Sequence, residues 1–322
     1  MKPNRNHTQS GLSLIELMIA ITISLALLTG VVQIFSSSKA AYRTQEALSR
    51  VSENIRFAIE TLNQDISRAN FWGCNTDPAM VANHLNSASP NFIDFAAGGL
   101  IGSEGNNGDP DTIRVRGLYG IPATTQNVVG ADQPVNLRAV NNNILPDSIL
   151  AISDCRNTDI FQVTGISENN GVTVLEHGIV ATQSPGNIRN RLSREDYGEN
   201  SIIYRADEIL YSIGPDNQDG GNNRNALIRQ RNGVPVPLIS DVDDFQVVYG
   251  EDTDNDQIVN RYVPAGTAGL NFANVISVRV TLTLSSPQDN VSPAQRNLGG
   301  GITDNRLART ITSTIALKNQ LP

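Results

Sequence analysis

Residues 11–38 read GLSLIELMIAITISLALLTGVVQIFSSS, and Glu16 is the one charged residue among them. Leu, Ile, Val and Ala dominate from Leu17 onward. The run is long enough to cross a bilayer as a single helix, for which about 20 residues suffice. Residues 1–11, MKPNRNHTQSG, precede it; they are polar and basic through Lys2 and Arg5, with no apolar region of their own. A secretory signal carries its apolar region before the cleavage site, so the order here is reversed. The basic residues hold this leader in the cytoplasm and send the rest of the chain across. Glu16 needs its own account, because a carboxylate inside a membrane segment is costly unless paired and marks a functional position.

Beyond the apolar run, AAYRTQEALSRVSENIRFAIETLNQDISRAN (residues 40–70) holds helix formers and neither Gly nor Pro, which predicts one uninterrupted helix. Leu48, Val51, Ile55, Ala58, Ile59, Leu62, Ile66 and Ala69 recur at three- and four-residue steps and form a stripe, while Arg50, Glu53, Arg56, Glu60 and Gln64 face elsewhere. That stripe packs on the chain's own β-domain, a coiled-coil seam with another subunit being the other reading. No proline interrupts the membrane half, and Gly30 is its one soft point.

From Phe71 the pattern changes to short apolar runs between turn residues. The 26 glycines and 15 prolines, with abundant Asn, Asp and Ser, supply the turns of a β-rich domain. Strands are expected at 112–118, 148–152, 160–166, 171–175, 201–206, 208–213, 226–231, 244–249, 275–284 and 309–317, and loops at 98–108 and 185–199. The stretch 275–284, VISVRVTLTL, alternates most cleanly and reads as a half-buried strand of an antiparallel sheet.

The basic leader ending in Gly11, the apolar Leu12, the acid Glu16 five positions past the glycine and the immediate apolar run resemble the type IV prepilin signature. The resemblance implies cleavage between Gly11 and Leu12 by a prepilin peptidase, N-methylation of the Leu12 amine, and pairing of Glu16 with the Leu12 amine of a neighbouring subunit to fix axial register. The family more often has Phe where this chain has Leu12. Trp72-Gly73-Cys74 just past the helix, and Tyr249-Gly250 followed by an Asp-rich turn, look like the PilW family of type IV pilus minor pilins.

The fold this implies is α+β and pilin-like: one long N-terminal α-helix, membrane-spanning in its first half, packed on a large antiparallel β-rich C-terminal domain. Its parts are a leader (1–11), a transmembrane or filament-core half-helix (12–38), an amphipathic half-helix (39–70) and a periplasmic or extracellular β-domain (71–322). The implied role is structural: a minor pilin in pilus initiation and assembly, sited near the tip because so large a domain is awkward to repeat along a slender shaft. A J-type minor pseudopilin of a type II secretion system and a tip adhesin are the alternatives. Implied partners are other minor pilins, the major pilin, the peptidase and, before assembly, the inner membrane.

The remaining residues bound the chemistry. The formal charge is −8, falling to −10 when Lys2 and Arg5 leave with the leader, which argues against nucleic acid as a partner. Cys74 and Cys155 can form one disulfide in an oxidising compartment, or remain separate buried thiols. Asp252, Asp254 and Asp256 alternate as the oxygen ligands of a calcium loop do. Gln257 stands where an EF-hand needs Gly, however, and no bidentate Glu follows, so a solvated acidic turn is the competing reading. Asp216, Asn217, Asp219 and Gly220 form a second polar turn. His7, His84 and His177 are isolated and read as surface or packing residues. No HExxH, Cys-x-x-Cys, P-loop or GxSxG occurs, so neither catalysis nor a cofactor is expected, apart from the calcium reading.

Overall fold

The computed structural model describes residues 13–74, 78–138, 144–194, 196–216, 224–289, 291, 296–297 and 303–320. The helix α1 runs unbroken from Leu14 to Ile66, 53 residues, and continues through Gly30. At about 1.5 Å per residue it extends roughly 80 Å. Along its second half Val51, Ile55, Ala58, Leu62 and Ile66 are buried, as is Ala69 in the following turn. Leu48 remains on the exposed side at 38% and Ala47 takes its place in the stripe at 0%. The turn after Ile66 ends on Asn70, whose positive φ of 61° reverses the chain. Asn70 Oδ1 accepts from Gly99 N at 2.6 Å, which ties this reversal to the first long loop.

The chain divides into two compact units. One holds residues 1–52 and 286–307, the other 53–285 and 308–322. The second unit contains the β-domain and the last turns of α1. Its largest sheet is organised on Ile202–Pro215, a 14-residue strand paired along one edge with Thr112–Thr124. Ile149–Ser153 shares the first half of the other edge, and Asn225–Arg231 the second half. Thr158–Gln162 and Val234–Ser240 extend the sheet on that side, and Leu100–Ser103 pairs with Thr112–Thr124. All these pairs are antiparallel; the short Val81–Asn83 lies parallel to Thr158–Gln162.

A second sheet takes Arg261–Pro264, Val242–Glu251, Val275–Ser285 and Ala308–Ala316 in that spatial order, also antiparallel. Its strand 275–285 buries Val278, Val280, Leu282 and Leu284 and sets Arg279, Thr281 and Thr283 on the opposite face, as the alternation requires. A third sheet of Val135–Arg138, Val172–Glu176 and Gly165–Asn169 covers a core built on Phe161, Leu175 and Tyr197.

Four sequence expectations need correction. Residues 201–206 and 208–213 form one strand, because Asp207, fully buried within it, is satisfied by Arg205 Nε at 2.7 Å and Asn232 Nδ2 at 3.0 Å. The run 160–166 divides at Val163 and Thr164, where the backbone partner changes from Ser148 to Glu176 and a second strand begins at Gly165. The expected loop 98–108 contains the strand Leu100–Ser103; its Gly102 is required by Tyr249, whose Oη lies 2.0 Å from where a Cβ would stand. The expected loop 185–199 buries Asn187, Leu192 and Tyr197 and contributes a two-residue bridge, Asp196–Tyr197, to Val129–Gly130. Val234–Ser240, VPVPLIS, was not among the expected strands; as the sheet's edge it tolerates Pro235 and Pro237, which lack an N–H to donate.

Candidate assembly surface

Gly11, Leu12 and His7 lie outside the described residues, and the visible part of the N-terminal segment begins at Ser13. Ser13 O accepts from Glu16 N at 3.0 Å and from Leu17 N at 3.1 Å, closing the first turn of α1. Glu16 sits in that turn, where the positive end of the helix dipole favours a carboxylate. Around and above it, Leu14, Ile15, Leu17, Met18, Ile19, Ile21, Ile23, Leu25, Leu27 and Leu28, then Val31, Val32, Ile34 and Phe35, are all more than half exposed. The apolar side chains surround the helix instead of forming one stripe. Water is the wrong solvent for such a surface, which calls for lipid or other apolar helices.

The polar residues of the span are arranged accordingly. Thr22 Oγ1 donates to Met18 O at 3.1 Å and Ile19 O at 2.9 Å, and Thr29 Oγ1 to Leu25 O at 2.8 Å. These hydroxyls spend their protons on the helix's own backbone and present no unsatisfied donor to a hydrocarbon medium. Among the described residues Glu16 has no such internal outlet, so its charge calls for a partner beyond them.

The remaining candidates belong to the β-domain. Cys74 and Cys155 are joined, with Cα atoms 4.6 Å apart across 81 residues of sequence. The bond ties the segment after α1 to the 154–157 turn. Thr158 Oγ1 holds the same two segments together by donating to Trp72 O and to Ser153 Oγ, both at 3.0 Å.

Asp252, Asp254 and Asp256 bring one carboxylate oxygen each within 4.8 Å of one another. The buried Asp252 carboxylate accepts from the backbone N of Asp254, Asp256 and Gln257, at 3.3, 3.3 and 2.8 Å, and so shapes the acidic turn by itself. Asp254 and Asp256 face solvent. Of the second polar turn only Asp216 is described; Asn217, Asp219 and Gly220 lie outside the described residues.

Both described histidines are packing residues, 4% and 5% exposed. His177 meets Gln133 O at 2.9 Å. His84 Nε2 meets Asp159 Oδ1 at 3.0 Å, and the same carboxylate accepts from Ser193 Oγ, Ser193 N at 2.8 Å and Tyr197 Oη at 2.9 Å. Sequence separation hid this cluster. A serine, a histidine and an aspartate share it, but Ser193 donates to the carboxylate and has no imidazole to take its proton, so no nucleophile is activated.

The cluster fixes stability instead. Burial pushes the Asp159 carboxyl up, yet the bonds from His84 and Ser193 outweigh it and hold the group below the usual carboxylate range. A depressed folded value means stability that is present above the unfolded pKa of about 3.9 and is lost as pH falls through the folded value. Urea unfolding from pH 7 down to pH 2 should therefore show a loss below about pH 4. Asp159→Asn should lower stability at pH 7 by on the order of 2 kcal/mol and flatten that acid limb. An acid limb equally steep in the variant would assign it to other carboxylates.

Residues 216–319 match the family model described as Type IV Pilus-assembly protein W, and residues 6–32 match the prokaryotic N-terminal methylation motif. The chain thus resembles PilW-family prepilin-type pilins over these two segments. No curated protein and no solved structure matches it. The PilW match takes in the whole second sheet and the hairpin 225–240, while the methylation motif takes in Gly11, Leu12, Glu16 and most of the exposed span. α1 is long and apolar enough to cross a membrane, its apolar window having a mean hydropathy of 2.3, which with the methylation motif points to a membrane-anchored protein.

Proposed function

We propose that this chain is a PilW-family minor pilin that takes part in initiating and assembling a type IV pilus near its tip, after a prepilin peptidase cuts between Gly11 and Leu12. The observation that carries the reading is an apolar helix exposed all round, with Glu16 in its first turn. Such a helix serves equally as a single membrane anchor before assembly and as a strut among other helices afterwards. In the filament, Glu16 pairs with the new Leu12 amine of a neighbouring subunit. An unpaired carboxylate in that apolar setting costs several kcal/mol, so wrong axial registers are penalised. The β-domain lies on the outer, oxidising side, where Cys74 and Cys155 bond, and meets the other minor pilins and the major pilin. The role is structural.

Deleting the chain and counting surface pili by electron microscopy, with exported enzymes assayed in the same cultures, tests the reading. Few or no pili with normal secretion is the expected result. Intact pili with failed secretion would move the chain to a type II pseudopilus, and normal pili that no longer bind surfaces would make it an adhesin. Complementation with Glu16→Ala should restore the anchored protein but not the pili. Full piliation by that variant would remove Glu16 from assembly.

A further inference from the structure

Where the C-terminal end of the β-domain returns to the end of α1, an open pocket of about 520 Å³ is lined by Arg68, Arg205 and Lys318, together with Ser67, Tyr119 and Asn319. Its cations come from three distant parts of the sequence and are held together by backbone bonds. Lys318 N donates to Ser67 O at 3.3 Å, and Asn319 Nδ2 donates to Ser67 O at 3.5 Å and Ala69 O at 3.1 Å. These bonds set Lys318 beside Arg68.

The charges here are not balanced. Arg68 and Lys318 are exposed and meet no carboxylate among the described residues. The guanidinium of Arg68 lies 5.5 Å from the centre of the Tyr119 ring, with those of Arg205 and Arg231 at 5.8 and 5.9 Å. Arg205 and Arg231 share a single acid, Asp207, at 2.7 and 3.6 Å. The neighbouring Asp65 is taken up by Arg229 at 2.7 Å. Two of these cations thus share one carboxylate and the other two have none among the described residues, in a chain whose formal charge is −8. The face of one tyrosine offsets only part of their repulsion. Tyr119, which lines the pocket and is 6% exposed, keeps a buried Oη without a hydrogen-bond partner. Excess cations at one concave site call for an acceptor-rich anion.

We propose that this pocket binds a small oxyanion, carboxylate or phosphate, with Arg68 and Lys318 as its free donors and Arg205 as the third contact. The volume is that of a small-molecule site and too small to seat a folded partner. The planar guanidiniums give paired hydrogen bonds to either oxyanion, and Lys318 adds a point charge at the rim.

The full-length pilin in a non-ionic detergent, titrated calorimetrically with citrate and with tripolyphosphate at constant ionic strength, tests this. Saturable binding of at least one probe is expected, and the stronger of the two tells carboxylate from phosphate. Arg68→Gln and Lys318→Gln should each weaken binding about tenfold. Both side chains are exposed, so the variants fold. Arg156→Gln removes one exposed charge away from the pocket and should leave binding unchanged. No saturable binding by either probe, or equal weakening in Arg156→Gln, overturns the proposal.

Discussion

Asp65→Ala should destabilise the β-domain by about 3–5 kcal/mol, the cost of leaving one partner of a buried ion pair without the other. Asp65 lies on the last turn of α1 and is 5% exposed. Its two oxygens take Arg229 Nε at 2.7 Å and Arg229 Nη2 at 3.1 Å, and Tyr211 Oη adds a short bond to the first of them. Arg229 and Tyr211 lie opposite each other on adjacent strands of the large sheet, so one carboxylate fastens the helix end to two strands. Removing it strands a guanidinium and a buried hydroxyl together. The double variant Asp65→Ala/Arg229→Met should recover much of the loss, because both charges leave and apolar surface replaces them. Chemical denaturation of the detergent-solubilised chain, analysed as a double-mutant cycle, measures the coupling. Strictly additive single effects would show that the pair does not act as a unit.

Cys74→Ser/Cys155→Ser should cost a comparable amount, roughly 4 kcal/mol, for a different reason. The bond closes a loop spanning 81 residues, and its loss returns the closure entropy of that loop to the unfolded chain. The native contacts around it survive, since Trp72 O and Ser153 Oγ still share Thr158 Oγ1. The denaturation midpoint should fall while the denaturant dependence rises, because the unfolded chain becomes more expanded. Pulse-labelling in cells should show accelerated turnover. A loss below about 1 kcal/mol would mean that the unfolded chain is already constrained over this loop.

These two devices were unequally visible in the sequence. With two cysteines there is one possible pair, so the bond could be named from composition even though pairing could not be proved. Asp65 gave no such signal. It reads as one more acid on a polar helix face, and its partner lies 164 residues away. The Asp159 cluster was hidden in the same way: His84 and Ser193 reach it from 75 and 34 residues away, through loops without periodic pattern. Buried polar groups mislead sequence reading generally, since a charge inside a strand looks like a turn until its partner is known. Asp207 is the example, dividing one 14-residue strand into two apparent ones.

The sequence by itself determined the N-terminal helix, its apolar character and the place of the one acid in its apolar run, because those follow from local composition: a long apolar run with a single carboxylate near its start. It also determined that the remainder is β-rich, since alternation and turn residues act over a few positions. Only the tertiary structure decided how the strands divide into sheets, why Gly102 cannot carry a side chain, and which carboxylates lock helix to sheet. The cationic pocket of Arg68, Arg205 and Lys318 belongs with these. Each depends on residues far apart in sequence meeting in a low-dielectric interior or at one concavity, where the energy of a contact is set by its partner and not by its neighbours along the chain.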